Sequence, residues 1–213
     1  MKRTIFLALP LLFALPFGLA QAQSGPVAGK DYVEIQNGRP LDPPAAGTVV
    51  VEEFFSYVCP ACNAFEPLLV AWSAKQPPYV KVVKVPATFR ADFLTYAKTY
   101  YAAEALGLVE KTHQAVFNAI HVTHKLPAEG DKMDEEKIAA FYADYGVSKA
   151  DFLNAMRSFG VDVKVRRATD HMQKSKVPST PTLIVNGRYL VKGDSYQQML
   201  DIAAALVEKE HAK

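Results

Sequence analysis

Cys59 and Cys62, the only cysteines in the 213-residue chain, stand as Cys-Pro-Ala-Cys directly behind the run Val49-Val50-Val51-Glu52-Glu53-Phe54-Phe55. That order confines the chain to folds in which a buried strand delivers a dithiol to the start of a helix. An unbroken run of β-branched and aromatic residues suits a strand covered on both faces. Pro60 suits the first turn of a helix, where its missing N–H costs nothing. A structural disulfide gains most by closing a long loop, whereas this pair brackets two residues, so it reads as a dithiol that cycles between reduced and oxidised forms. A four-ligand zinc site would need histidines as well. His121 and His124 are the best placed, and they read instead as solvated imidazoles at a helix end.

Residues 1–22 read as a secretory leader cleaved before Gln23. Lys2 and Arg3 form a basic start, and Ala20-Gln21-Ala22 has the small residues of a cleavage site. The apolar stretch Ile5–Ala20, broken by Pro10 and Pro16, is shorter than the about 20 residues of a spanning helix. The mature protein is therefore expected in an exported, oxidising compartment, the periplasm. The full chain carries 24 basic and 22 acidic residues, and loss of Lys2 and Arg3 leaves 22 of each. No block of Lys or Arg with interleaved aromatics appears, which argues against a nucleic-acid partner.

Along the chain the pattern runs strand, helix, strand, then helices, then strands again, an α/β order. Tyr32–Ile35 is a short edge strand, Val49–Val58 a central one, and Tyr79–Val85 the next, ended by Pro86. The first helix runs from Pro60 to about Lys75, with Pro67 expected to kink it because the bond to Asn63 is lost. Between residues 91 and 160 the periodicity is helical. Phe93, Leu94, Ala97, Tyr101 and Ala105 form one stripe, and Val116, Phe117 and Ile120 another. Asp134 is placed to cap a helix reaching Tyr145, and Ser148 with Asp151 resembles a capping box for one ending at Gly160. Val161 to about Lys174 continues as a helix, with Val161, Val165, Ala168 and Met172 on one face. Two strands then flank Asn186-Gly187, a dipeptide favoured in tight hairpins, and Tyr196–Glu210 closes the chain as an amphipathic helix.

Three charges fall where apolar residues are expected. Glu53 interrupts the central strand, Glu66 lies one helical turn beyond Cys62, and Lys84 shares a strand face with Val80 and Val82. Buried charge is costly unless paired. Two arrangements satisfy that rule: the three meet, or Glu52 rather than Glu53 points inward while Lys84 snorkels to water.

The segment Glu53-Phe54-Phe55-Ser56-Tyr57-Val58-Cys59-Pro60-Ala61-Cys62, the helical insertion, and Val177-Pro178-Ser179-Thr180-Pro181-Thr182 followed by Val185-Asn186-Gly187-Arg188-Tyr189 together resemble the DsbA family of thiol:disulfide interchange proteins. The resemblance covers nearly all of the chain behind the leader. It implies a thioredoxin fold with a central mixed β-sheet and an inserted all-helical subdomain, with residues 23–90 and 161–213 forming the thioredoxin-like part and 91–160 the insertion. It implies an exposed nucleophile, Cys59, and a shielded resolving partner, Cys62. Thr180 and a cis Pro181 would lie opposite the dithiol, and Glu53, Glu66 and Lys84 would form a charged cluster beneath it that relays protons to Cys62. It implies no bound cofactor, reduced or unfolded exported proteins as substrates, a monomer, and a quinone-linked membrane partner of the DsbB type for re-oxidation.

Cys59, at a strand-to-helix junction, is expected to have a low pKa, because unpaired amides and the helix dipole favour its thiolate. A good leaving thiolate favours donation of disulfides. Ala61 departs from the histidine that many relatives carry there, and Thr180 is shared with members that reduce or isomerise disulfides, so a reductase or isomerase is the alternative direction. A non-catalytic chaperone module and a glutathione-dependent transferase are the other readings, and the intact dithiol argues against both. His113 and His171 read as surface or semi-buried residues, since thiol exchange needs no catalytic triad. Trp72, Tyr100, Tyr101, Phe117 and Phe141 read as packing.

Overall fold

Val49–Phe55 is an interior strand of a five-stranded mixed sheet, and every one of its residues is buried. The computed structural model describes residues 25–213; the leader expected at residues 1–22 lies outside the described residues. The strands are β1 (Tyr32–Glu34), β2 (Val49–Phe55), β3 (Val80–Pro86), β4 (Thr182–Val185) and β5 (Tyr189–Val191), in the spatial order β1-β5-β4-β2-β3. β2 runs parallel to β3 and antiparallel to β4. Helix α1 (Pro60–Ser73) links the parallel pair, which a hairpin cannot join.

The period-2 alternation of β2 serves two cores. Val49 and Val51 pack with Phe65 and Leu69 of α1 and with Leu206 and Val207 of α7 (Tyr196–His211). Phe54 belongs to the cluster containing Val161, Val165, Ala168 and Met172 of α6 (Phe159–Lys174). A central strand covered in this way has no solvated face, which is why Glu52 and Glu53 are both buried.

Between β3 and α6 the chain forms α2 (Ala91–Ala105), α3 (Val109–His121), α4 (Glu135–Phe141), a 3-10 turn (Tyr142–Tyr145) and α5 (Lys149–Met156). Asp134 caps α4 by accepting the Lys137 amide at 2.9 Å, and Ser148 caps α5 by accepting that of Asp151 at 3.1 Å. The break before α6 falls at Arg157–Ser158 rather than at Gly160. The Ser158 hydroxyl accepts the Val161 amide at 3.3 Å, and Gly160 lies inside the first turn that this cap starts. β2 is also shorter than the expected Val49–Val58. Ser56–Val58 turn into the helix instead, the Cys59 amide donating to the Ser56 carbonyl at 3.1 Å. α1 continues through Pro67 as one element. Pro86 closes β3, an edge strand where a missing donor is tolerated.

Asn186 and Gly187 both take left-handed backbone angles (φ 54° and 67°), and the Arg188 amide closes the turn on the Val185 carbonyl at 2.9 Å. A Cβ on Gly187 would stand 2.0 Å from the Arg39 carbonyl carbon. The dipeptide therefore lets the Pro-rich loop after β1 lie against the hairpin. Register also sets the site. Thr182 pairs with Phe54, so the chain entering β4 at Pro181 passes beside the turn by which β2 delivers Cys59 to α1.

Candidate active site

Cys59 is itself the N-cap of α1. Its backbone is extended (φ −77°, ψ 114°), and its sulfur accepts the Cys62 amide at 3.4 Å. The Cys59 thiol also lies 3.5 Å from the Thr180 carbonyl oxygen, and the Thr180–Pro181 peptide bond is cis. Both thiols are free and both are buried: Cys59, expected to be exposed, is only 8% open at the helix start, and Cys62 is fully enclosed. The Cys62 thiol is the strongest influence on Cys59. Partial burial opposes it, while the Thr180 side chain and the amides of Cys62 and Ala61 add to it, and the Cys59 pKa falls to about 6. Burial first, then the hydrogen bond and charge of Cys59, push the Cys62 thiol far above the ordinary thiol range. Titration of the ultraviolet thiolate absorbance of the reduced protein is expected to give one transition near pH 6; a midpoint near the free-cysteine value of about 8.5 would contradict this geometry.

Beneath Cys62, Lys84 on β3 reaches across to Glu53, its register partner on β2, with Nζ to Oε2 2.8 Å, and also bonds Glu66 of α1. The three charges meet, and Lys84 is engaged there rather than extended into water. Burial raises the Glu53 carboxyl to about 7 against the pull of Lys84. Burial also opposes ionisation of Glu66, but His113 and Lys84 outweigh it and hold this carboxyl below its usual range. The two carboxylates more than offset the burial of Lys84 and raise its pKa. Glu53 Oε1 has no hydrogen-bond partner among the described residues.

Glu52 is buried on the other face of β2, so the two inward choices for this strand are both realised. Its carboxylate lies 3.0 Å from His171 Nε2 and accepts the Leu41 amide at 2.6 Å. This pair ties α6 and the loop after β1 to the sheet, away from the dithiol.

Sequence reasoning left His113 out of the site. Its Nδ1 lies 2.9 Å from the Tyr57 hydroxyl and its Nε2 3.5 Å from Glu66 Oε2, inside a nest of Phe55, Tyr57, Tyr100 and Phe117 rings. The available signal was its spacing. His113 shares the buried stripe of α3 with Val116, Phe117 and Ile120, where a polar residue needs a partner. His121 is also occupied, its Nε2 2.8 Å from the Tyr57 carbonyl oxygen. Among the described residues, no cluster of three or more His, Cys, Asp or Glu is arranged to hold a metal ion.

Two openings reach these groups. A cavity of about 290 Å³ beside Cys59 is lined by Phe89, Phe93, Pro178, Ser179 and Thr180 and by the charged Arg90 and Glu129, with Phe89 41% exposed. A groove of about 840 Å³ along the free edge of β3 reaches Glu66, Lys84 and His113.

A dithiol at the N-terminus of the helix in a βαβ unit, faced by a cis-proline loop, defines a thioredoxin-fold thiol:disulfide oxidoreductase. A family model described as thioredoxin matches residues 44–203. The chain is 35% identical to the thiol:disulfide interchange protein DsbA of Pseudomonas aeruginosa over 99% of its own length and 98% of that protein's. It is 36% identical to the Burkholderia cepacia protein of the same name, over 93% and 91% of the two chains. The crystal structure of oxidoreductase DsbA from Xylella fastidiosa superposes with a TM-score of 0.84 at 38% identity, covering 88% of this chain and 99% of that one. The chain belongs to the DsbA family of thiol:disulfide interchange proteins.

Proposed function

We propose that this oxidoreductase is an exported dithiol oxidase that donates its Cys59–Cys62 disulfide to newly translocated proteins. The observation that carries the direction is the pairing of a stabilised thiolate at Cys59 with an enclosed, high-pKa thiol at Cys62. A substrate thiolate attacks the Cys59 sulfur of the oxidised form. The Cys59–Cys62 bond breaks, a substrate–Cys59 disulfide forms, and Cys62 leaves with the electron pair. The Cys62 thiolate takes a proton from Glu53, whose raised pKa keeps a proton available near neutrality. A second substrate thiolate attacks the substrate sulfur of the mixed disulfide and expels Cys59 as thiolate. The substrate is oxidised by two electrons and the enzyme dithiol is reduced by two. Glu53 regains its proton from water, which the groove along β3 brings to the Glu66–Lys84 side of the cluster.

The Cys59 thiolate sets the sign of the equilibrium. An acid whose pKa is lowered in the folded protein contributes stability above its ordinary pKa and loses it as pH falls through the lowered value. At pH 7, one unit above the Cys59 pKa, the gain to the reduced form is about 1.4 kcal/mol, or about 30 mV toward a stronger oxidant. Ala61 contributes no cationic ring to this sum. The cavity beside Cys59, walled by Phe89, Phe93 and Thr180 with the Arg90 and Glu129 charges at its lining, is the surface that receives an extended, unfolded chain.

Residues 23–90 and 161–213 form the thioredoxin-like part in this reading, with 91–160 inserted. Residues 1–22 direct export to the periplasm, and a DsbB-like, quinone-linked membrane protein re-oxidises the monomer. Oxidised protein incubated with one equivalent of a reduced, unfolded substrate is expected to transfer its disulfide stoichiometrically. Equilibration against a glutathione buffer supplies the second arm, and a potential near thioredoxin's, about −270 mV, would reverse the direction.

A further inference from the structure

Two carboxylates, Glu53 and Glu66, share one ammonium group, Lys84, in a buried cluster. The pair is symmetric in chemistry and asymmetric in surroundings. Glu53 Oε1 faces no donor among the described residues, whereas Glu66 Oε2 faces Lys84 and, at 3.5 Å, His113 Nε2. His113 comes from α3, outside the strand–helix–strand unit that carries the dithiol. Its ring is oriented from the far side by Tyr57, whose hydroxyl lies 2.9 Å from Nδ1.

That arrangement selects one tautomer. With Tyr57 O–H donating to Nδ1, the ring proton sits on Nε2 and points at Glu66. Nε2 makes no full hydrogen bond, and the Glu66 carboxylate 3.5 Å away is the charge that its proton faces. The other tautomer would put a lone pair on Nε2 against a carboxylate. Burial keeps the ring neutral despite Glu66, and the nearby Lys84 charge acts in the same sense. The remaining groups around His113 are Glu110 on its own helix and Tyr100 on α2, with Phe55 and Phe117 completing the enclosure.

We propose that His113 is a positioning residue that holds Glu66 as the charged member of the buried pair and so leaves the exchangeable proton on Glu53, the carboxyl that serves Cys62. The inference rests on the relay role given to Glu53 above. Without the Nε2 donor, Glu66 loses a stabilising dipole and competes for the proton. Once Glu66 is protonated it no longer repels Glu53, while Lys84 still attracts it, so Glu53 ionises more readily. The proton moves to the wrong side of Lys84, farther along α1 from the dithiol.

The test follows both carboxyl groups by NMR in reduced protein labelled with carboxyl-13C glutamate, alongside the pH profile of disulfide transfer. In the unmodified protein, Glu53 is expected to titrate near pH 7 while Glu66 stays ionised down into the acid range. In His113→Phe, the Glu66 midpoint should rise and the Glu53 midpoint fall, each by about one unit or more, with the rate profile shifting to match. His113→Gln, which keeps a donor at the position of Nε2, should restore both midpoints. The double variant His113→Phe/Tyr57→Phe leaves no hydroxyl stranded and tests the same prediction if the single variant does not fold. Unchanged midpoints in a folded variant lacking the donor overturn the proposal. Glu53→Gln separates the two readings. An unaltered rate profile in that variant overturns the Glu53 relay and this proposal with it, whereas an altered profile there with unmoved midpoints in the His113 variants overturns the role of His113 alone.

Discussion

Cys62→Ser is expected to eliminate disulfide donation and to accumulate covalent adducts through Cys59 when the variant is mixed with disulfide-bearing client proteins. The Cys59 thiolate, stabilised at the helix start, still attacks a client disulfide. Release then depends on a second thiol. In the unmodified protein that thiol is Cys62, three residues away, its amide 3.4 Å from the Cys59 sulfur. Positioned groups of this kind act at effective concentrations of about 10⁵ M or more, against millimolar thiols in solution, so escape from the adduct should slow by at least about a thousandfold. Non-reducing gels should show adducts that dithiothreitol dissolves. Cys59→Ser should show neither adducts nor transfer, because Cys62 is enclosed and protonated. Adducts carried by Cys62 in that variant would show that the two thiols have been assigned to the wrong roles.

Lys84→Met is expected to cost about 3–5 kcal/mol of folding stability near pH 8, the range found when one partner of a buried ion pair is removed. Glu53 is fully enclosed and Glu66 nearly so, and both would face each other without the ammonium group. The loss should be pH-dependent, with a definite sign. A carboxyl whose pKa is raised on folding binds protons in the folded state that the unfolded chain has released, so stability falls as pH rises toward the raised value. Glu53 already behaves this way between about pH 4.5 and 7. Without Lys84 both carboxyls join it, and urea midpoints of the variant should drop between pH 5 and 8 more steeply than those of the unmodified protein. A variant that is as stable at pH 8 as at pH 5 would show that the carboxylates find water or another cation, and that the cluster is not buried in solution.

Element identities were legible wherever one short-range rule acted alone. The dithiol at the helix start, the Asn186-Gly187 turn and the Asp134 and Ser148 caps each depend on residues at most a few positions apart. The boundary at Ser158 was missed because two local signals competed. Glycine marks a helix end only in the left-handed conformation, which Gly160 does not adopt. Glu52 and Glu53 posed an either-or question under strand alternation, which assumes one wet face. Helices on both faces of β2 removed that assumption, and each carboxylate found its cation or imidazole from a different part of the chain.

The sequence by itself determined the chemistry: two cysteines, their spacing, the proline that starts the helix and the charged residues in apolar positions. These are covalent or near-neighbour facts, and near-neighbour physics is enough to read them. Tertiary structure alone decided what tunes that chemistry. The Thr180 carbonyl reaches Cys59 because β4 pairs antiparallel with β2, 121 residues later in the chain. Lys84 meets Glu53 because a parallel register puts them side by side. His113 joins Glu66 because the buried face of α3 that carries it packs beside α1. Electrostatic interactions depend on distance and burial, both of which are set when the elements pack.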